Sequence, residues 1–239
     1  FFFKHQNWPE QKKIIEKIEL SITKSSNTKD VIDWFEKFPP MTGKGAIDFL
    51  EFSLKNGNKS KKTQKIKDVW VNANLTFKDQ KYFIKKYKNY WNQEDNWKRF
   101  DRLMAEGKYS SARRALNRVK GDLRALGEAR LGLGRRAGNV ETLISRVPFK
   151  LKNDPGLIYE RMRWRRKAKL DTASDLLLNP PTEIKNVKNW WINSRIIVRR
   201  ILNKKNYTLA YNILKKHNLP ISSPSGTEAE WLAGWVALV

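Results

Sequence analysis

The chain has 239 residues, 40% of them hydrophobic, which is enough for one large domain or an extended repeat array with a sizeable core. Its 49 basic and 24 acidic residues leave a net charge of +25, which points either to an anionic partner (nucleic acid, a membrane surface or an acidic polymer) or to a solvated surface in a lysine- and asparagine-rich background. Cysteine is absent, which excludes a disulfide framework, a thiolate metal site and a cysteine nucleophile, and no apolar run approaches the roughly 20 residues needed to cross a bilayer.

The first segment carries Phe2, Phe3 and Trp8-Pro9, and Pro9 suits the first turn of a helix, where its missing N–H costs nothing. Gln11–Ile22 is amphipathic, with Ile14, Ile15, Ile18 and Ile22 on one side. A turn at Ser25-Ser26-Asn27-Thr28 precedes a helix through Val31, Ile32, Trp34 and Phe35, and Phe38-Pro39-Pro40 ends it, because the residue before a proline avoids the helical region. Thr42 can cap the next helix, whose Ala46, Ile47, Leu50 and Leu54 keep one face, and Asn56-Gly57-Asn58 breaks it. Lys59–Asn72 and Phe77–Tyr87 follow as helices, the second with Phe83, Ile84 and Tyr87 facing one way. Nowhere is there an alternation of period two, so no strand is expected.

Asn96–Val119 predicts two helices joined at Glu106-Gly107-Lys108. Trp97, Phe100, Leu103 and Met104 share one face, and Tyr109, Ala112, Leu116 and Val119 share the next. Gly107 stands where the backbone must reverse at positive φ. The same order recurs at Val140 and Leu143 after Arg136-Ala137-Gly138-Asn139, at Leu170, Ala173 and Leu177, and at Tyr207, Ala210 and Leu214. The third-register positions Ala112, Leu143, Ala173 and Ala210 lie 31, 30 and 37 residues apart. Steps of roughly 30–40 residues between helical hairpins mark an α-solenoid, and a small residue in that register lets paired helices approach closely. The alternative is an ordinary helical bundle with coincidental spacing.

Between these repeats, Asp122–Arg135 predicts a helix in which Gly132-Leu133-Gly134 allows close packing, and Pro148 closes Val140–Val147. Asp154-Pro155-Gly156 starts a helix with Leu157, Ile158, Met162 and Trp164, Asn179-Pro180-Pro181 ends Thr172–Leu178, and Asn186–Leu202 carries Trp190, Trp191, Ile196, Ile197 and Ile201. The last hairpin ends at Asn218-Leu219-Pro220, and Ser222–Gly226 leads into a final helix. The expected fold is all-α: one continuous curved superhelix over residues 1–239, built from about fourteen helices in degenerate hairpins of the tetratricopeptide type.

The chemistry-bearing residues are few. His5 and His217 lack ligand-spaced partners, so no metal or cofactor is expected, and His217 stands near a helix C-terminus, where a positive imidazole is favoured by the dipole. The carboxylate pairs Glu94 with Asp95 and Glu228 with Glu230 have the composition of a glycosidase pair, yet both stand at helix starts, where acidic groups are stabilised. Basic runs recur near helix ends at Lys85-Lys86, Arg113-Arg114, Arg165-Arg166-Lys167, Arg199-Arg200 and Lys215-Lys216, either as cations at helix C-termini or as one positive stripe along an array. Tyr159, Arg161, Arg163 and Trp164 interleave aromatic and basic residues in the manner of a stacking surface for bases or sugars, or as core. Arg113, Arg114, Arg163, Arg165, Arg166, Arg199 and Arg200 are accordingly the candidate glycan- or anion-contacting residues, with no catalytic residue among them.

Several stretches resemble the soluble lytic murein transglycosylase family. They are Asp33-Trp34-Phe35 with Pro39-Pro40-Met41-Thr42-Gly43-Lys44-Gly45-Ala46; Asn96-Trp97-Lys98-Arg99-Phe100-Asp101-Arg102-Leu103; Tyr109-Ser110-Ser111-Ala112-Arg113-Arg114; Arg146-Val147-Pro148; the run Asn153–Arg166; and Glu228–Leu238. The resemblance implies the family's N-terminal U-shaped α-superhelix, with the lysozyme-like catalytic domain following it. It implies a periplasmic enzyme that cleaves the MurNAc–GlcNAc bond of peptidoglycan to a 1,6-anhydro product. The family's acid/base is a glutamate in a Glu-Ser motif, and this chain has no Glu-Ser dipeptide, so no catalytic residue carries over. The implied partners are peptidoglycan, the C-terminal catalytic domain of the same chain and other cell-envelope proteins. A basic helical-repeat module for nucleic acid or a large protein assembly is the alternative. The chain opens on Phe1 and its last apolar stretch runs uncapped to Val239, so both ends look cut; the resemblance then implies a signal peptide upstream and the catalytic domain downstream.

Overall fold

The computed structural model describes residues 10–55 and 61–238, so the expectations placed on Phe2, Phe3, His5, Trp8, Pro9 and Asn56-Gly57-Asn58 lie outside the described residues. Among the described residues the chain is all-helical, with fourteen α-helices and no strand, as its 3.6-residue periodicity predicts. No helix is long and apolar enough to cross a membrane. The chain forms two compact units, one ending at Arg99 and the other beginning at Phe100.

The first unit holds α1 (Gln11–Ser21), α2 (Thr28–Lys37), α3 (Gly43–Lys55), α4 (Lys62–Asn72) and α5 (Phe77–Tyr87). Local signals fix their ends. The Asn27 side chain accepts the N–H groups of Lys29 and Asp30, and Thr76 and Asp79 form a reciprocal capping box. The α3 helix lies against α1, α2, α4 and α5. One core cluster gathers Val31, Trp34, Phe35 and Phe52. A second gathers Ile47, Leu50, Ile66, Trp70, Leu75, Phe83 and Tyr87.

The start of α3 is held by a charge from α1. Glu19 is fully buried; one carboxylate oxygen accepts the Met41 N–H at 2.7 Å, and the other accepts the Thr42 N–H at 2.7 Å and the Thr42 hydroxyl at 2.5 Å. A carboxylate is favoured there because the first turn presents unpaired N–H groups and the positive end of the helix dipole. Gly45 makes room for it, since a Cβ at this position would fall 2.3 Å from the Glu19 oxygen. Glu19→Gln points a donor at donors, so we expect a loss of about 1–3 kcal/mol, read by chemical denaturation. An unchanged midpoint would show that the carboxylate does not hold α3.

The second unit takes the end of α6 (Gln93–Ala105) and then α7 (Tyr109–Leu116), α8 (Gly121–Arg135), α9 (Val140–Ser145), α10 (Pro155–Lys167), α11 (Asp175–Leu178), α12 (Val187–Asn203), α13 (Tyr207–Leu214) and α14 (Pro224–Ala237). Neighbours in sequence are largely neighbours in space: α7 lies on α8, α8 on α9 and α10, α10 on α12, and α12 on α13 and α14. The repeat register is partly realised. Ala112, Leu116, Ala173, Leu177, Ala210 and Leu214 are all buried, and Gly107 takes φ 71° at the α6–α7 turn. Leu143 is half-buried and packs where a Cβ on Gly132 would stand.

The third repeat departs from the expectation. Leu170 is 43% exposed, and Thr172–Leu178 is not one helix but a 3₁₀ turn at Asp171–Ala173 followed by the single turn α11. Lys169, at φ 60°, closes α10 as Gly107 closes α6 and Lys205 closes α12; within the segment itself the Ser174 hydroxyl donates to the Asp171 carbonyl at 2.7 Å. At the second repeat the left-handed residue closing α8 is Arg136, at φ 59°, rather than a glycine.

Candidate anion-binding face

The best-defined polar assembly of the second unit grows from α10. Asp154 caps the helix by accepting the Leu157 N–H at 2.8 Å, and Pro155 fills its first position. Six residues after the cap, Glu160 is 2% exposed. Arg163 donates to Glu160 at 3.1 Å and also to the Tyr109 hydroxyl. Burial pushes the Glu160 carboxyl up, with Arg163 offsetting part of the rise. Burial also raises the Tyr109 hydroxyl, and the Glu160 charge adds to it. For Arg163 burial opposes the charge, but Glu160 followed by Tyr109 outweighs it and holds the guanidinium above its ordinary value. Gly134 of α8 admits the Tyr109 ring, which stands 2.6 Å from where a Cβ would be.

One turn further along α10 the balance of charge changes. Arg166 donates to the Asn193 side-chain oxygen at 2.8 Å, and Arg200 of α12 donates to the Arg166 carbonyl at 2.8 Å. Burial lowers Arg166, and the charges of Arg200, Arg163 and Arg136 lower it further. Burial likewise lowers Lys167, and then Arg163, Arg136 and Arg166 do. Near the C-terminal ends of α8, α10 and α12, Arg166 thus lies in the field of Arg200, Arg163 and Arg136, and Lys167 in that of Arg163, Arg136 and Arg166. Helix C-termini favour cations, which accounts for Arg136, Arg166, Lys167 and Arg200 taken singly, while Arg163 is held by Glu160. Their mutual repulsion is a cost, offset in part by Tyr159 at Arg166 and by Glu160, already paired with Arg163, at Lys167. An anion at this face relieves that repulsion.

Of the arginines singled out in the sequence, the structure brings Arg163, Arg166 and Arg200 together. Arg163 is mostly interior, with its side chain 19% exposed, so it supports the face more than it presents it. Arg165 turns to the Thr172 carbonyl at 2.9 Å and, after burial, is the charge that lowers Arg161. Arg199 lies among the charges around Glu228. Arg113 is exposed on α7, and Arg114 donates to the Ser111 hydroxyl at 2.9 Å. Lys167 lies in the basic run Arg165-Arg166-Lys167 but is not among the candidate arginines, and Arg136 lies outside the basic runs singled out in the sequence. Arg136 was hidden because the sequence marks it as a turn residue.

The carboxylate pairs do structural work. Asp95 accepts the Asn92 N–H at 3.0 Å and pairs with Lys67 at 3.1 Å, while Glu94 pairs with Lys98 at 2.7 Å. Glu228 accepts the Trp191 indole N–H at 2.6 Å and pairs with Arg195 at 2.5 Å. Glu230 meets His217 Nε2 at 3.0 Å. His217 Nδ1 stands 2.9 Å from the Leu219 N–H, so the ring bridges that backbone to Glu230 of α14 at the end of the last hairpin.

Two other carboxylates do share a cavity. Asp101 and Glu160 line a space of about 40 Å³ with Arg130, Gly156, Tyr159 and Trp190. Burial alone would raise the Asp101 carboxyl, but Arg130 and then Lys185 overcome it and hold it below its ordinary value, opposite to Glu160. Opposed shifts are the signature of an acid/base pair. Here the volume admits only a few water molecules, and Asp101 is fixed by Arg130 and Lys185, each at 2.7 Å. The pair is an internal brace. Among the described residues no group of three His, Asp or Glu side chains is placed to hold a metal ion. Comparison with family models, curated proteins and solved structures finds no match to this chain.

Proposed function

We propose that this chain is the non-catalytic helical scaffold of a periplasmic lytic transglycosylase that cleaves MurNAc–GlcNAc bonds of peptidoglycan to 1,6-anhydro products. In this reading its hairpins form one curved α-solenoid, the bond-breaking glutamate belongs to a following lysozyme-like domain, and the arginine face meets the carboxylates of the murein stem peptides. The observation that carries the reading is the segment Asn153–Arg166, whose sequence resembles that family's scaffold most closely. Its residues are the ones that build this part of the fold: Asp154 as cap, Gly156 under Arg130, Glu160 and Arg163 as the buried pair. A resemblance concentrated in framework residues supports a framework role.

The second reading, a helical module for nucleic acid or a large protein assembly, is favoured by the net charge of +25. Nucleic-acid affinity would fall steeply with salt as phosphate contacts release counterions. A sacculus pulldown beside a filter-binding titration at two salt concentrations separates the two. We expect the purified chain to bind murein sacculi without digesting them, and the chain joined to its following domain to digest them. Replacing Arg136, Arg166 and Arg200 together by Gln is expected to weaken sacculus binding about tenfold, roughly what three exposed charge contacts supply. Digestion by the segment alone, or strong salt-sensitive nucleic-acid binding with no retention on sacculi, overturns the proposal.

A further inference from the structure

The first unit contains a groove of about 460 Å³, the size of a small-molecule cleft, which is ordinarily a few hundred Å³. It runs along α3 between the end of α1 and the start of α5. Its floor is apolar: Ile47 and Phe52 are core residues of α3, and the walls rise to Leu20 at 60% exposure and Tyr82 at 40%. An exposed leucine lining a concave apolar floor is unlike a singly scattered surface residue.

The charges at the rim are unbalanced. Four lysines line the groove (Lys24, Lys44, Lys55 and Lys78) with three acids. Each acid is already engaged. Asp48 pairs with Lys44 at 2.5 Å, Glu51 takes Lys86 at 2.9 Å and the Tyr82 hydroxyl at 2.7 Å, and Asp79 closes the Thr76 capping box. Among the described residues no carboxylate lies within ion-pair distance of Lys24, Lys55 or Lys78, and Lys55 is held 5.1 Å over the Phe52 ring. The site therefore offers an apolar trough with three spare ammonium groups at its edge. Its complement is a molecule with an apolar body and an anionic end.

We infer that this groove binds a single-chain anionic amphiphile, a fatty acid or an alkyl phosphate, with its chain along Leu20, Ile47 and Phe52 and its anionic end at Lys24, Lys55 and Lys78. The inference is independent of the murein reading, because it uses none of the arginine face. The test is titration calorimetry on the purified chain, below micellar concentration, with decanoate, decyl phosphate, decanol and decyltrimethylammonium as probes. Decanoate and decyl phosphate are expected to bind, more tightly than decanol, and the cationic probe is not. Lys24→Gln, Lys55→Gln and Lys78→Gln combined should cost the anionic probes about tenfold or more. Leu20→Asn should weaken every probe that binds. An Arg166→Gln, Arg200→Gln variant should bind as the parent does. Helix content by circular dichroism confirms that each variant is folded. Equal binding of anionic and cationic probes, an unchanged affinity in the triple lysine variant, no binding at all, or binding only to vesicles of anionic phospholipid overturns the inference.

Discussion

Trp70→Ala is expected to lower the stability of the chain by about 3–5 kcal/mol, the range for removing a large buried aromatic side chain. Trp70 is fully buried at the centre of the first unit. Its ring stacks on Trp91 at 4.3 Å and on Phe83 at 6.3 Å, nearly parallel to both. Its indole N–H donates to the Asn96 side-chain oxygen at 3.0 Å. The Arg99 guanidinium lies 4.7 Å over the ring and donates to the Trp70 carbonyl and, at 3.0 Å, to the Ala73 carbonyl. Arg99 is thereby a buried cation on the C-terminal carbonyls of α4, where the helix dipole favours positive charge. Truncation leaves a cavity, strips the face on which Arg99 lies and orphans the Asn96 oxygen at once. Trp70→Phe keeps most of the stack and loses the donor, so it should cost only about 1–3 kcal/mol. Denaturant unfolding of the two variants by circular dichroism checks the order; equal losses would mean that the hydrogen bond, not the stacked ring, dominates.

The contrast between this site and the rest of the chain shows what local sequence encodes. Helix α5 falls at Phe77–Tyr87, as its periodicity predicts, because Thr76 and Asp79 satisfy its first N–H groups from within four residues. The same holds for the start of α10, where Asp154 and Pro155 are adjacent. Leu170, Ala173 and Leu177 match the repeat pattern equally well, yet the segment forms a 3₁₀ turn at Asp171–Ala173, with the Ser174 hydroxyl on the Asp171 carbonyl, before the single turn α11. Spacing carries no record of such breaks. The arginine face was half legible: doublets at helix ends marked Arg166 and Arg200, but only the fold sets α8 beside α10 and so adds Arg136. The buried network was not legible. Apolar periodicity treats a charged residue as solvent-facing, whereas Arg99, Arg130 and Glu160 occupy core positions. Their partners are distant in the chain; Asp101 meets Arg130 29 residues on and Lys185 84 residues on.

Arg130→Met is expected to cost about 3–5 kcal/mol at neutral pH, because it breaks a buried pair and leaves the other charge behind. The Arg130 side chain is 5% exposed, donates to Asp101 at 2.7 Å, stands 3.5 Å from Asp154 and lies 5.6 Å from the Phe100 ring centre. In the parent, Asp101 is held below its ordinary value, so its contribution is present above the unfolded carboxylate pKa of about 3.9 and is lost as pH falls through the lower folded value. Without Arg130, burial dominates and moves the carboxyl upward, with only Lys185 opposing. The deficit of the variant should therefore be largest at neutral pH and shrink as acid protonates Asp101 in both proteins. Gly156 supplies the control. A Cβ there would fall 2.2 Å from the Arg130 guanidinium carbon, so Gly156→Ala should displace the same side chain and destabilise the parent by about 1–3 kcal/mol. In the Arg130→Met background that clash meets a flexible side chain, and most of the penalty should disappear. A double-mutant cycle by denaturant unfolding measures this coupling. Strict additivity, or a deficit that does not change with pH, would show that Arg130 acts through bulk alone rather than as the charge that holds Asp101 and the start of α10 together.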